Sequence, residues 1–344
     1  MSGAAAPVRL GVLGCADIAV RRVLPAVSRT PGVTLAAVAS RSRERAARVT
    51  ARFGGTAVGG YAELLERRGP DAVDAVYVPL PAALHATWVR RALDAGKHVL
   101  AEKPLTTDPG TTAALVERAR AAGLVLAENY MSVHHPQHRA VLDLVAGGAI
   151  GRLRSLSAAF TIPPRPDDDI RYRADLGGGA LLDVGCHPLR TASVLLGDGL
   201  AVAGAVLHRD AARGVDVSGS ALLHRPDGVT AHVTFGMEHH YTSRYELHGS
   251  AGRLRLDHAF TPPADHRPTV VIERADGVEH RELAPYDQCR GTVAAFAAAV
   301  ASGAARHGTA PPGPGTAGEA IVRQARLIAA VHRSAHDAVG GETT

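Results

Sequence analysis

A chain of 344 residues is longer than one hydrophobic core usually serves, so its length points to two domains. With 46% hydrophobic and 21% charged residues the composition is that of an ordinary globular protein, and the formal charge of +5 is scattered without a Lys/Arg block, which argues against a nucleic-acid partner. Cys15, Cys186 and Cys289 stand too far apart for a disulfide framework or a zinc site and fit a reducing cytoplasm, while Met1 to Pro7 lacks the apolar core of a signal peptide and no apolar run is long enough to cross a bilayer.

The first expected strand, Val8 to Leu13, runs directly into Gly14-Cys15-Ala16-Asp17-Ile18-Ala19. This is a G-x-A-x-x-A variant of the dinucleotide fingerprint. Gly14 permits the tight turn, Ala16 is small enough for a pyrophosphate to approach the backbone, and Ala19 lets the following helix, whose N-terminal N–H groups favour an anion, pack on the strand; Asp17 and Ile18 lie within this stretch. After the second strand, Val33 to Ala39, stand Ser40 and Arg41, where an NAD site usually carries an acid. Their hydroxyl and guanidinium suit the extra phosphate of NADP. The alternative is that Arg41 and Arg43 begin a solvated helix running to Phe53.

Further alternation follows: a helix over Tyr61 to Arg68, a strand over Ala75 to Val78, then Leu80 and a helix from Pro81 to Ala95 that carries His85. The short strand His98 to Ala101 ends in Glu102-Lys103-Pro104. A lysine at a strand's carboxyl end lies where open α/β sheets bind ligands, although a surface lysine in an ordinary loop would look the same. A helix over Pro109 to Ala122 and a strand over Leu124 to Ala127, followed by Glu128-Asn129-Tyr130, complete a parallel, doubly wound sheet of Rossmann type, assigned to residues 1–130.

From 131 to 344 the pattern changes. After a helix over His134 to Ala146, strands predominate: Leu153 to Ile162, Leu200 to Leu207, Ser218 to Leu223, Val229 to Phe235, Ser243 to His248, Arg253 to Leu256 and Thr269 to Glu273. Turn signals such as Pro226-Asp227-Gly228 and Ala275-Asp276-Gly277 imply antiparallel hairpins, hence a second α+β domain with a mostly antiparallel sheet. Two late helices, Thr292 to Ala301 and Ala317 to His336, flank a Pro311–Gly315 loop and are placed to close back on the first domain. Within this half, Gly177-Gly178-Gly179 precedes a helix start in which Asp183 and His187 stand four apart, on one helical face. The carboxylate is placed to orient an imidazole that exchanges a proton near neutral pH. Metal ligation would need a further ligand that is not evident, and a buried structural histidine is the plainer alternative.

Taken together in order, Gly14 to Ala19, Leu80-Pro81-Ala82-Ala83-Leu84-His85, Glu102-Lys103-Pro104 and Asp183-x-Gly185-x-His187 resemble the glucose–fructose oxidoreductase/inositol dehydrogenase/MocA family over nearly the whole chain. The resemblance implies a Rossmann domain joined to an open-faced sheet domain and NAD(P)-linked chemistry on sugar hydroxyls. It makes Lys103 the catalytic lysine and His187 the second catalytic position, supported by Asp183. Leu80, Pro81, His85 and Glu102 join Gly14, Ala16, Asp17, Ile18, Ser40, Arg41 and Lys103 at the cofactor.

A narrower likeness, carried by Asn129-Tyr130-Met131, Pro163-Pro164-Arg165-Pro166, Asp169-Ile170-Arg171-Tyr172-Arg173 and the glycine run, is to the sugar-nucleotide 3-ketoreductases of actinobacterial deoxysugar pathways. It implies NADPH-dependent reduction of a dTDP-3,4-diketo-2,6-dideoxyhexose, with Asn129, Tyr130, Arg165, Arg171, Tyr172, Asp183 and His187 at the substrate, in a cytoplasmic dimer or tetramer. Some members of that subgroup carry tyrosine where this chain has His187, so the proton donor lies between Lys103 and His187. The rival readings are a dehydrogenase of free sugars or inositols and a nucleotide-binding sensor without turnover. For the arginines, the alternative role is to tie their loop to the sheet.

Overall fold

Strands that are apolar on both faces need cover on both faces, and the N-terminal third of the chain supplies it with alternating helices. The structure, a computed structural model, describes residues 6–303 and 318–339; the expected Pro311–Gly315 loop lies outside them. β1 (Val8–Leu13), β2 (Val33–Ala39), β3 (Thr56–Val58), β4 (Ala75–Val78), β5 (His98–Glu102) and β6 (Leu126–Asn129) form one parallel sheet in the order β3-β2-β1-β4-β5-β6. The direction of winding reverses between β1 and β4, which opens a crevice at their carboxyl ends.

A π-helical turn (Ala19–Val23) leads into α1 (Leu24–Val27), and α2 (Arg43–Phe53), α3 (Tyr61–Glu66), α4 (Ala82–Asp94) and α5 (Pro109–Ala121) cover the faces. Ser42 and Asp108 start α2 and α5 by accepting the Arg45 and Thr111 N–H groups at 3.2 and 2.6 Å. Leu10, Val12, Val76, Val78, Val99 and Ala101 are buried between the layers.

Several boundaries differ from the sequence reading. β6 lies two residues later than expected, so Glu128 and Asn129 are strand residues. The helix after Tyr61 stops at Glu66, and β3 appears at the sheet edge. The helix expected from His134 begins at Pro136: a 3₁₀ turn (Met131–His134) comes first, His135 caps the Gln137 N–H at 3.2 Å, and proline occupies the first helical position of α6 (Pro136–Ala146).

The second sheet has nine strands: β7 (Leu153–Thr161), β8 (Ala201–Asp210), β9 (Val215–His224), β10 (Thr230–Gly236), β11 (Thr242–Gly249), β12 (Gly252–Asp257), β13 (Thr269–Arg274), β14 (Gly277–Glu282) and β15 (Ala335–Val339). Their order is β14-β13-β12-β11-β7-β10-β9-β8-β15. β7 runs parallel to β10 and β15 parallel to β8, while the other pairings are antiparallel.

One face is apolar: Leu156, Ala158, Phe160, Val233 and Phe235 are buried beneath a π-helical turn (Leu181–Gly185) and α7 (Cys186–Leu196). β14 was not expected because an exposed edge strand of sequence GVEHRE carries no apolar alternation. The last helix, α9 (Gly318–Ser334), ends two residues earlier than expected, where β15 begins.

Two compact units result. One runs to Tyr130 and takes in α8 (Gln288–Ala301), which packs on α1, β1 and β2. The other spans Met131–Asp287 and takes in the chain from Arg323. Among the described residues no helix is long and apolar enough to cross a membrane, and no group of three His, Cys, Asp or Glu residues is placed to hold a metal ion.

Candidate active site

In the first unit the turn after β1 is built for close approach. Gly14 sits at φ +119°, and a Cβ there would stand 3.1 Å from Leu80 Cδ2, so an alanine would be strained and crowded together. Its N–H donates to the Ala39 carbonyl at 2.8 Å, fixing the turn against β2, and the helix opens at Asp17. Asp17 is exposed and paired with Arg21, while Ala16 and Ile18 are half-buried.

At the end of β2 Ser40 is buried and accepts the Ser42 N–H at 3.3 Å; Arg41 lies outside helix α2, exposed, beside the Tyr61 hydroxyl. Arg43 does begin the solvated helix, but Arg41 precedes its cap. Arg45, which the sequence reading did not single out, adds positive potential at Tyr61 and at the Cys15 thiol. Burial nevertheless raises the proton affinity of both Tyr61 and Cys15.

Behind Lys103 lies a buried polar frame. Glu102 Oε1 accepts two hydrogen bonds, from the Tyr77 hydroxyl at 2.5 Å and the Asn129 amide at 2.6 Å. Burial, with the Glu102 charge second, holds Tyr77 well above the usual phenol range, so it stays a donor. Beyond the lysine, the Leu105 N–H donates to the Glu128 carboxylate at 2.7 Å. Lys103, half-buried, is thus flanked by anchored backbone on both sides.

Two expectations change here. Asn129 and Tyr130, expected at the substrate, are 2% and 0% exposed, and the Asn129 amide is spent on Glu102. His85 is likewise 1% exposed, its ring nitrogens 2.9 Å from the Pro104 carbonyl and 2.7 Å from that of Leu80, and it acts on the site only through backbone.

In the second unit the glycine run is a packing device. A Cβ on Gly178 would stand 2.4 Å from the Arg171 carbonyl oxygen and 2.9 Å from that of Arg173, and one on Gly179, at φ +116°, 2.5 Å from Asp216 Oδ1. What approaches the bare backbone is the protein itself: Gly178 and Gly179 donate to those two carbonyls, both at 2.9 Å. Asp216, 35 residues from Leu181, accepts the Leu181 N–H at 2.6 Å and so caps the start of the helix that carries Asp183 and His187. Burial raises the proton affinity of its carboxyl group.

We expect Gly178→Ala to destabilise the fold by about 3 kcal/mol, the upper range for overpacking against atoms that cannot yield, read as a fall in thermal midpoint of several degrees. An unchanged midpoint would show that the loop can move aside.

The Asp183 carboxylate accepts Arg171 Nε at 2.6 Å, and the Arg171 guanidinium also reaches Asp169 at 3.1 Å. The cation beside Asp183 stands twelve residues back, a partner that the four-residue spacing to His187 did not suggest. Tyr172 is 4% exposed, with the Arg213 guanidinium 4.2 Å above its ring and its hydroxyl accepting the Arg165 N–H at 3.3 Å. Arg171 and Tyr172 therefore tie their loop to the helix and sheet, the alternative role weighed for the arginines, whereas the Arg165 side chain is exposed. His187 is 7% exposed, edge-on to Phe160 with ring centres 5.2 Å apart and 6.1 Å from the Phe260 ring.

Residues 8–130 match the NAD-binding Rossmann-fold domain of the oxidoreductase family, and residues 138–255 match the GFO/IDH/MocA C-terminal domain. Over 329 residues the chain is 57% identical to a dTDP-3,4-didehydro-2,6-dideoxy-alpha-D-glucose 3-reductase of Streptomyces violaceoruber, covering 95% of each protein. A protein of the same name from Actinomadura kijaniata is 54% identical over 331 residues, 96% of each. The crystal structure of a 3-ketoreductase from Actinomadura kijaniata in complex with NADP and TDP-benzene superposes with a TM-score of 0.92 at 53% identity, covering 97% of this chain and 100% of that one.

Proposed function

The chain belongs to the GFO/IDH/MocA family of oxidoreductases, and from that premise we propose that it uses NADPH to reduce the 3-keto group of a dTDP-linked 3,4-diketo-2,6-dideoxyhexose. The observation that carries this reading is the 57% identity to a reductase of that name over 95% of both chains. The bare turn at Gly14 and the acid-free Ser40-Arg41 pair at the end of β2 suit NADP independently of it.

In this reading the backbone from Gly14 to Ile18 receives the pyrophosphate, Ser40 and Arg41 the adenosine phosphate, and Leu80, Pro81 and Glu102 line the strand ends beside them. NADPH, when bound, supplies the hydride. As hydride reaches the carbonyl carbon, negative charge grows on its oxygen, and Lys103 donates the hydrogen bond and then the proton that neutralise it. Anchoring of Glu102 and Leu105 holds the lysine backbone so that little reorganisation is needed. His187 is the second proton-handling group, seated by its aromatic frame, and Asp183 with Arg171 fixes the turn before it. Arg165 offers its guanidinium to the substrate diphosphate. The same reading places the enzyme in the cytoplasm as a homo-oligomer, dimer or tetramer.

Arg41→Ala should raise KM for NADPH by about one to two decades and leave KM for NADH nearly unchanged, since a charge-assisted phosphate contact is worth roughly 1.5–3 kcal/mol. Equal efficiency of the two cofactors in the unaltered enzyme would remove this assignment. The substrate reading is tested by calorimetry: dTDP alone should bind, and Arg165→Ala should weaken it while NADPH affinity holds. Binding of NADPH with no dTDP binding at millimolar concentration would shift the reading to a dehydrogenase of free sugars.

A further inference from the structure

His85 lies in the first turn of α4 with both ring nitrogens aimed at backbone carbonyl oxygens: Nδ1 is 2.9 Å from Pro104 O and Nε2 2.7 Å from Leu80 O. A carbonyl oxygen can only accept. A neutral imidazole has one N–H, so in either tautomer its other nitrogen would present a lone pair to an oxygen less than 3 Å away. Only the imidazolium satisfies both contacts.

Burial opposes the charge and lowers the pKa of the ring. Against it act the carbonyls of Leu80, Pro104 and Leu105 and the carboxylate of Glu102 on β5, itself held by Tyr77 of β4 and Asn129 of β6. Lys103 is the charged group on the neighbouring loop, one residue from the Pro104 carbonyl. The two carbonyls belong to different loops: Leu80 packs over the Gly14 turn, and Pro104 follows Lys103.

We propose that His85 is held as an imidazolium that donates to the Leu80 and Pro104 carbonyls together, clamping the turn that receives the cofactor to the loop that carries Lys103. His85 is thereby a positioning residue, and this part of the inference rests on Lys103 being the catalytic lysine. The charge makes the clamp stronger than a neutral histidine could, because a charge-assisted hydrogen bond is roughly twice as strong as a neutral one.

The decisive measurement is ¹⁵N NMR of the ligand-free protein at neutral pH, with the ring assigned through the His85 backbone so that no variant is needed. Both nitrogens should resonate as protonated, and a signal from one unprotonated ring nitrogen would overturn the charged clamp. His85→Gln, which carries no charge and has both its donor hydrogens on one nitrogen instead of on two separate ring positions, should lower kcat by roughly tenfold or more through misplacement of Lys103. Its NADPH dissociation constant, read by cofactor fluorescence, should rise by a smaller factor. A folded His85→Gln protein with unaltered kcat would sink the positioning role, whereas failure of Lys103 as proton donor is read separately from a lysine variant and leaves the NMR result standing.

Discussion

Lys103→Ala should lower kcat by at least about 10²-fold, the usual cost of removing a positioned acid or oxyanion donor. The expectation rests on how the residue is held. Glu102 before it is gripped by Tyr77 and Asn129, and Leu105 after it is bonded to Glu128, so the lysine backbone has little freedom to relax around a missing side chain. The loss should therefore fall mainly on the chemical step and fall less on NADPH binding, which the proposed function assigns chiefly to the Gly14 turn and the end of β2. Lys103→Arg should restore little, because a planar guanidinium holds its proton far more tightly than an ammonium does. Single-turnover oxidation of bound NADPH separates chemistry from product release. A near-normal rate in the alanine variant would take Lys103 out of the mechanism.

The sequence made the first sheet legible because buried parallel strands are written as uninterrupted apolar runs, as in Val8 to Leu13 and Val33 to Ala39. β3 escaped because three residues at an edge make no pattern, and β14 because its exposed alternation is nearly all polar. The residues that the proposed function uses drew attention where they coincide with a strand or helix end, as at Gly14, Arg41, Lys103 and Asp183. Burial was not legible there: the resemblance assigned Asn129 and Tyr130 to the substrate, whereas β6 continues to Asn129 and both side chains are buried. Pairings made by the fold left no local trace. Nothing near Leu181 announces that Asp216 caps it, and nothing near Arg171 announces that its carbonyl closes on Gly178. A run of glycines leaves the backbone bare, but what approaches it can be named only from the tertiary structure.

The second unit should lose stability on mild acidification, between about pH 6.5 and pH 4, before most carboxylates titrate. Three histidines at its start are responsible. His134 and His135 are lowered to about 4, in both cases first by burial and then by a neighbouring cation or imidazole, Arg190 and His266 respectively. His138 is lowered to about 3, again by burial first and then by His135, with its Nδ1 beside the Tyr245 hydroxyl at 3.1 Å. In the unfolded chain each titrates near 6.5. Above that value both states are neutral and the histidines add no pH dependence. As pH falls through it, the unfolded state takes up protons that the folded state refuses, so the difference in bound protons favours unfolding until the folded values are reached. Lowering from 6.5 to about 4 corresponds to roughly 3 kcal/mol and lowering to about 3 to roughly 5 kcal/mol for one buried ring, and to less for the half-buried His134. Urea unfolding at pH 7 and pH 5 should therefore show a loss of several kcal/mol, with a slope in that window that His138→Gln flattens by about one proton. Equal stability at the two pH values would mean that these rings find water or protons in the folded state.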